Sequence, residues 1–524
     1  MKLHLSNLWH SLGTTHVCGY LQHPTKGFLQ GSALAGHFSA LEDEAALSAE
    51  LQVANGCFAL ILQRPEATLA VVDKLRSTPI FYDEAGNLSD KSESLAPLDS
   101  KALKSCSGDI LSEFLITGYV TGSDTLHPQL RQIPAGHYLV LAEGQSPILK
   151  RYFRYQHIED AGRSHPDWLQ LLHQTHLAIA KDTLESLAGR PVIIPLSGGY
   201  DSRLLAYLFK TLNYDRIITF SYDSPHHKEA RISKRVAEHL GLPHIFIPHT
   251  HQSWYQAYWS PSRRDFYHYA VNASSSAHIQ DWLAVGQMRE RGLIPHDSVF
   301  IPGHSADFLQ GSHLPLVYAT RTSFTRDDLL NQIIAKHYRL WPNPSQTEQY
   351  RFKARIQSVI QAPSTMSASE AADLFEYHDL QERQAKFILN SLRVYESFGY
   401  QWRLPLWDQR LMDYWATVPL PYRLGRKLWH LYAAEYLALP IPVFINPPLQ
   451  ERILDKGLRI LFGEVRNVRY GRFADRRSFT EYVSLKAAHY LRSDIEYPAF
   501  VDAGMPVIRC DMNALQALIA VWEL

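Results

Sequence analysis

A chain of 524 residues with a hydrophobic share of 46% has apolar material for two or three cores. No stretch approaches the roughly 18 uninterrupted apolar residues of a membrane span, and Met1 to His16 lack the apolar core and cleavage site of a secretory signal, so a cytoplasmic protein with no membrane partner is expected. Fifty-two basic residues balance fifty-two acidic ones, which leaves no global field to gather nucleic acid.

Taken in chain order, residues 1–150 alternate short apolar runs with turn residues and predict a mostly β region. GCFALILQ from Gly56, TLAVVDK from Thr68 and TPIFYDEAGNLSD from Thr78 are its strands, the last with an Ala-Gly-Asn turn. Asp90 to Asp109 is polar and poor in aromatics and reads as a long surface loop. GHYLVLAEG with Pro147 and Ile148 reads as a closing hairpin. From about His165 helical segments alternate with short apolar strands, the pattern of a doubly wound parallel sheet. Its strands are expected at Val192–Leu196, Arg216–Ser221, His244–Pro248 and Ser298–Pro302. From Ser367 the chain turns mainly helical, opening on Ser-Ala-Ser-Glu, a capping-box pattern with Glu370 in the first turn.

Cys18, Cys57, Cys106 and Cys510 are widely spaced with no CxxC pair, which argues for buried thiols rather than a disulfide framework or zinc site. His226, His227, His244, His249 and His251 cluster in sequence, yet no Cys or acidic partner stands at ligand spacing. No transition metal is expected there.

The most informative segment is PVIIPLSGGYDSRLLAYLFK from Pro191. Val192, Ile193 and Ile194 suit a buried parallel strand, and Leu204, Leu205, Leu208 and Phe209 recur at helical spacing. Between them Gly198 and Gly199 let the backbone curl with its N–H groups inward, and the helix start near Asp201 adds unpaired amides and a positive dipole end. A pyrophosphate is stabilised in such a turn. Ser197 and Ser202 add hydroxyls, and Asp201 offers a carboxylate for Mg²⁺. A Walker loop would need a Gly-Lys-Ser/Thr ending, which is absent. Since ligands of doubly wound sheets bind beyond the carboxyl ends of the strands, Ser197, Ser221, Tyr222, Gly303 and Asp307 are expected to converge on one crevice.

Ser-Gly-Gly-x-Asp-Ser after a strand resembles the pyrophosphate loop of N-type ATP pyrophosphatases. With NGCFALIL, VDKLRSTPIFY, FLITGYVTGSDTLHPQLRQIPAGHYLVL, FSYDS, KEARISKRVAEHLGLPH, VFIPGHSADFLQGSH, RLPLWD and Arg426-Lys427 in order, the chain resembles asparagine synthetases and their relatives. The resemblance implies residues 1–150 as an α+β, Ntn-hydrolase-like sandwich related to class II glutamine amidotransferases. It implies residues 165–524 as an α/β doubly wound ATP-pyrophosphatase domain with a helical C-terminal part. It also implies ATP and Mg²⁺ as cofactors, with Leu196, Ser197, Gly198, Gly199, Asp201, Ser202, Ser221, Tyr222 and Gly303 around the nucleotide and Asp201 and Asp307 on the metal. His304 occupies a position that is Glu in asparagine synthetases and Tyr in β-lactam synthetases, where it acts as general base; a histidine merely capping the loop is the alternative. Lys427 corresponds to a lysine turned toward the phosphates, against the alternative of a solvent-facing lysine.

Departures from the family shape the expectation. Glutamine-dependent members begin with a cysteine whose α-amine serves as base, whereas this chain begins Met1-Lys2-Leu3 and Cys18 is internal. A degenerate amidotransferase region without glutaminase is therefore expected, as in β-lactam synthetases and lasso-peptide cyclases. Phe308 replaces the Glu after the metal Asp, Gln401 stands where aspartate-specific synthetases carry Glu, IPVFINPPLQER lacks the family's further lysine, and Asp408 reads as a helix cap. The reading is an AMP-forming amide ligase that adenylates a small-molecule carboxylate, such as a sugar acid or natural-product precursor, and passes the acyl group to ammonia or an amine. Two rivals stay open: a catalytically silent nucleotide- or partner-binding relative, and an authentic asparagine synthetase. A tRNA-modifying enzyme is disfavoured by the balanced charge.

Overall fold

The computed structural model describes residues 1–437 and 441, apart from 224–227, 251–252, 254–255, 258–259 and 341–343. The N-terminal part holds strands β1 (Leu3–His4), β2 (His10–Leu12), β3 (Thr15–His23), β4 (Gly27–Gln30), β5 (Gly56–Gln63), β6 (Thr68–Val72), β7 (Phe81–Asp83), β8 (Leu88–Ser89), β9 (Leu130–Gln132), β10 (His137–Leu141) and β11 (Ile148–Arg151). Seven of them form one sheet in the order β11-β10-β6-β5-β3-β2, with β4 paired to β3, and four form a second in the order β1-β8-β7-β9.

β5 and β6 are buried on both faces, as near-continuous apolar runs demand. Leu60, Leu62, Leu69 and Val71 pack on one side beneath helices α1 (Ser32–Ser39) and α2 (Glu44–Val53), while Ala59, Ile61, Ala70 and Val72 face Ile80, Leu88 and Ile133 on the other. The expected hairpins are present, β7 with β8 and β10 with β11, both antiparallel. The expected surface loop at Asp90 to Asp109 is not: a short helical turn at Ser92–Ser94 leads to helix α3 (Ser100–Ser105) and then α4 (Gly108–Thr117). Leu98, Ala102 and Leu103, too sparse to show a period in sequence, are buried in the main core.

Helix α5 (His165–Ser186) is capped by the Ser164 hydroxyl, which accepts from Asp167 N–H, and leads into the parallel sheet. Strands β12 (Val192–Pro195), β13 (Ile217–Asp223), β14 (His244–Pro248) and β15 (Val299–Phe300) lie at the expected places, the last reduced to two residues. A two-stranded ribbon of β16 (Ser323–Thr325) and β17 (Thr365–Ser367) intervenes, and a fifth parallel strand, β18 (Gln401–Trp402), was too short to leave a pattern. The order is β14-β13-β12-β15-β18, all parallel. The chain steps outward one way from β12 and then returns to its other side at β15. That reversal opens a crevice at the carboxyl ends of β12 and β15, the place where such sheets bind ligands.

Helices α6 (Asp201–Thr211) and α7 (Lys228–Leu240) follow β12 and β13. The predicted capping box forms: Ser367 accepts from Glu370 N–H, and the Glu370 carboxylate accepts from Ser367 N–H at 2.7 Å. The helix it starts, Ala368–His378, runs on into a π-helical stretch at Asp379–Ile388. Among the described residues no helix is long and apolar enough to cross a membrane.

Candidate active site

The turn from β12 to α6 behaves as its residues dictate. Leu196 is buried and tied to the sheet by its N–H on Phe220 O at 2.8 Å, which fixes where the turn begins. Ser197 N–H donates to Ser202 Oγ at 3.0 Å, the two serine hydroxyls lie 3.1 Å apart, and Gly199 N–H donates to Ser197 Oγ at 3.2 Å. Gly198 N–H faces the Glu229 carboxylate at 3.4 Å. The turn thus already presents an amide to a negative group. Tyr200 precedes α6 without a side-chain cap, leaving the helix's first amides and positive dipole end toward the crevice.

Gly303, at the carboxyl end of β15, lies directly against this helix start. A Cβ there would stand 2.7 Å from Ser202 N and 3.2 Å from the Asp201 carbonyl carbon, both backbone atoms, so any side chain would push the two loops apart. This close approach brings Asp307 beside Asp201: Asp307 N–H donates to Asp201 Oδ2 at 3.2 Å. The other oxygen of Asp201 is buried with no hydrogen-bond partner, and its nearest cation is Arg426, 3.6 Å away. Burial and the neighbouring Asp307 carboxylate hold the Asp201 carboxyl well above the usual carboxylate range, against the pull of Arg426. Burial works the same way on Asp307, but His313 and Arg426 outweigh it, and its carboxyl lies below the ordinary value. Two carboxylates with one orphaned oxygen are a donor set that a hard cation such as Mg²⁺ would complete.

Asp307 has a support that sequence reasoning missed. Ser312 donates to its Oδ2 at 3.0 Å, and His313 Nε2 stands 3.7 Å from the same oxygen. The other ring nitrogen of His313 meets Asp379 at 2.5 Å, at the start of the π-helical stretch. Asp379 is fully buried, and although burial alone would raise its carboxyl, His313 and His337 drive it far below the ordinary range. A fixed Asp-His-Asp chain therefore holds the crevice carboxylate from behind.

His304 lies at the same crevice, one residue beyond Gly303, with Nε2 2.8 Å from Ser391 Oγ. Burial lowers its pKa, against the opposing pull of Asp281 and Asp307, so the imidazole is neutral at neutral pH. Tyr222 and Tyr395 both donate to Asp281, each at 2.6 Å. Ser221 is turned to the His244 ring at 3.0 Å, and His244 is occupied on its other side by Thr219 Oγ1 at 2.9 Å.

Lys427 is placed differently from the cation the sequence suggested. It is exposed at the start of helix Lys427–Tyr436, its Nζ 5.7 Å from the centre of the Tyr422 ring. The cation that reaches the loop carboxylate is its neighbour Arg426, which also donates to Gln310. Phe308, standing in place of a family Glu, is fully buried against Trp407 and Tyr155. Asp408 caps helix Gln409–Thr417, as expected, by accepting from Arg410 N–H at 3.0 Å. The segment IPVFINPPLQER beyond Ile441, with His226, His227, His251 and Cys510, lies outside the described residues.

Among the described residues His23, His37 and Glu50 bring ligand atoms within 4.8 Å of one another. Their nitrogens are already engaged: His23 Nδ1 accepts from Thr25 and Lys26 N–H, and His37 bridges Lys26 Nζ and Glu50 at 3.0 and 2.9 Å. With His23 Nδ1 an acceptor, the neutral ring carries its proton on Nε2, where a metal would need a lone pair.

A doubly wound parallel sheet with a glycine-rich turn and paired carboxylates at its reversal point defines a mixed α/β protein whose crevice carries groups suited to an anion and a cation. Residues 183–437 match the family model of asparagine synthase, and the chain carries an asparagine synthase domain over that span. In general terms this match supports an ATP-dependent amide-forming carbon–nitrogen ligase.

No curated protein matched the sequence. Among solved structures, the NH3-dependent NAD synthetase of Campylobacter jejuni is similar at 16% identity and a TM-score of 0.21, over 37% of this chain and 94% of that one. The allosteric regulatory enzyme of purine biosynthesis is similar at 13% identity and 0.18, over 58% of each chain. The glutamine phosphoribosylpyrophosphate amidotransferase of B. subtilis follows at 11% and 0.19, over 56% of this chain and 63% of its own. These TM-scores are too low to establish a shared fold.

Proposed function

We propose that the protein is an AMP-forming amide ligase whose substrates meet in the crevice between β12 and β15. A substrate carboxylate oxygen attacks the α-phosphorus of ATP, and pyrophosphate leaves. An amine or ammonia nitrogen then attacks the acyl carbon, the acyl–phosphate bond breaks, and AMP leaves with its electron pair. The Ser197–Ser202 turn and the start of α6 hold the departing pyrophosphate with backbone amides and hydroxyls. Asp201 and Asp307 would hold Mg²⁺, which when bound would neutralise the phosphate charge. Arg426, facing Asp201, adds positive charge that Lys427 would supply only by leaving the Tyr422 ring.

The observation that carries this reading is the pairing of Asp201 and Asp307 from the helices that follow two adjacent strands, one oxygen of the pair buried without a hydrogen-bond partner among the described residues. His304, neutral and anchored by Ser391, takes the proton of the attacking amine. The buried Phe308 and the glutamine at 401 argue for an acceptor acid other than aspartate, a sugar acid or a natural-product precursor.

The N-terminal region, residues 1–150, serves in this reading as a degenerate amidotransferase-like domain without glutaminase activity. Cys18 supports this: it lies in the middle of β3, and burial pushes its thiol up to about 12, so it is protonated at neutral pH and a poor nucleophile. The deciding experiment is acid-dependent ATP–pyrophosphate exchange across a panel of carboxylic acids, with glutamate release from glutamine measured in parallel. Exchange with at least one acid and no glutamate release is expected. Absence of exchange with every acid, alongside tight nucleotide binding, would favour the catalytically silent alternative.

A further inference from the structure

A second polar cavity lies away from the crevice, where the N-terminal sheets meet the π-helical stretch. It is lined by Arg76, Ser77, Ser274, Lys386, Asn390 and Arg393, among others, and among the described residues no acidic one borders it. Its free space is that of about one water molecule. Arg76 is 4% exposed and Arg393 5%, and the Nε–H of each is buried with no hydrogen-bond partner.

The three cations differ in how well they are satisfied. Lys386 spends its three donors on Val120 O, Gly122 O and Glu382, at 2.7, 2.8 and 2.6 Å. Arg393 pairs with Glu396 at 2.8 Å and donates to Ser77 O at 2.8 Å. Arg76 has only a long contact to Ser274 Oγ at 3.5 Å and the face of the Phe81 ring, and among the described residues no carboxylate lies within ion-pair distance. Asp73, three residues earlier, is committed elsewhere, accepting from Phe58, Leu75 and Ser77 N–H. Burial and the Arg393 charge draw Arg76 down to about 9. Its backbone is also left-handed, φ 55, a conformation unfavourable to a residue that carries a Cβ. A strained, buried, unpaired guanidinium is costly unless something else satisfies it.

We infer that this cavity is a binding site for one small monoatomic anion of chloride size, held by the Nε–H groups of Arg76 and Arg393. The size excludes nucleotides and phosphate, and the lack of acidic lining together with two orphaned donors selects an anion over water. The site would tie the Arg76 turn, which connects β6 of one N-terminal sheet to β7 of the other, to the helices that carry Ser391 and Asp379.

Bromide in crystals of the full chain should give an anomalous peak within hydrogen-bond distance of both Nε atoms. In solution, the ³⁵Cl resonance should be broadened by the wild-type protein more than by Arg76→Gly or Arg76→Asn, two residues that tolerate the left-handed turn without a charge. Replacing gluconate by chloride at constant ionic strength should raise the unfolding temperature of the wild type by about 2–4 °C and leave both variants unmoved. No anomalous peak, or equal broadening by wild type and variants, would overturn the site and leave the cavity to water.

Discussion

Two carboxylates, Asp73 buried and Asp201 half-buried, show how differently the same chemistry can be used. Asp73, in the N-terminal region, is raised to about 6 by burial, yet its oxygens accept from three backbone amides and the Ser77 hydroxyl. Asp201, at the crevice, is also raised by burial, but it faces a second carboxylate and keeps one oxygen without a hydrogen-bond partner among the described residues. Asp73 is finished by the fold and organises a turn. Asp201 is left for a ligand to finish. An ionisable group marks a functional site less by its shift than by what remains unsatisfied around it.

The largest effect should come from removing the unfinished pair. Asp201→Ala should lower Mg²⁺-dependent ATP–pyrophosphate exchange by about a thousandfold or more while leaving the circular dichroism spectrum unchanged, because the side chain sits at the start of α6 beside the crevice and not in a core. Asp307→Ala should act alike, and the double variant should be little worse than either single one, since both serve one ion cluster. Additive losses would separate the two carboxylates and break the comparison.

His304 should divide the two half-reactions. His304→Ala is expected to keep exchange and to slow amide formation by about two to four orders of magnitude, with His304→Gln almost as slow. Recovery of the rate in the glutamine variant would make the residue a positioning group held by Ser391. Arg426 and Lys427 give a smaller, sharper contrast: Arg426→Ala should reduce exchange about ten- to a hundredfold, and Lys427→Ala several times less. The reverse order would place the lysine at the phosphates.

The smallest effect concerns stability. His176, His249 and His378 are buried, and burial draws them down to about 3, 4 and 4. Depressed in the folded state, they take up protons on unfolding below their ordinary value of about 6.5, so their stability contribution is complete above that pH and is lost as pH falls toward 4. Urea titrations should show unfolding free energy falling across that window, by at most about 1.4 kcal/mol per pH unit for each histidine. A flat profile would mean that these rings are solvated in the native state.

What the sequence made legible was local. The strand-turn-helix at Pro191 to Lys210 could be read because its glycines, serines and apolar periodicity lie within one contiguous window, and four of the five parallel strands could be read for the same reason. Arg426 could not, because only folding brings it from far along the chain to Asp201, and His313, although near Asp307 in sequence, shows its role only once the distant Asp379 is set against its other ring nitrogen. Asp90 to Asp109 looked like a loop because its apolar residues are isolated, and only tertiary packing buries Leu98 and Leu103. Gly303 could be named as a site residue, but its reason, the approach of a backbone nitrogen within 2.7 Å of where a Cβ would stand, belongs to the folded chain.

The central claim is that the Asp201 and Asp307 pair and the Ser197–Ser202 turn form one Mg²⁺–pyrophosphate site, and calorimetric titration of pyrophosphate tests it most directly. With Mg²⁺ present, the wild-type protein should bind pyrophosphate at a single site, with binding weakened at least tenfold when Mg²⁺ is replaced by EDTA or when Asp201 is changed to Ala. Equal affinity in wild type and Asp201→Ala, with and without Mg²⁺, would contradict it.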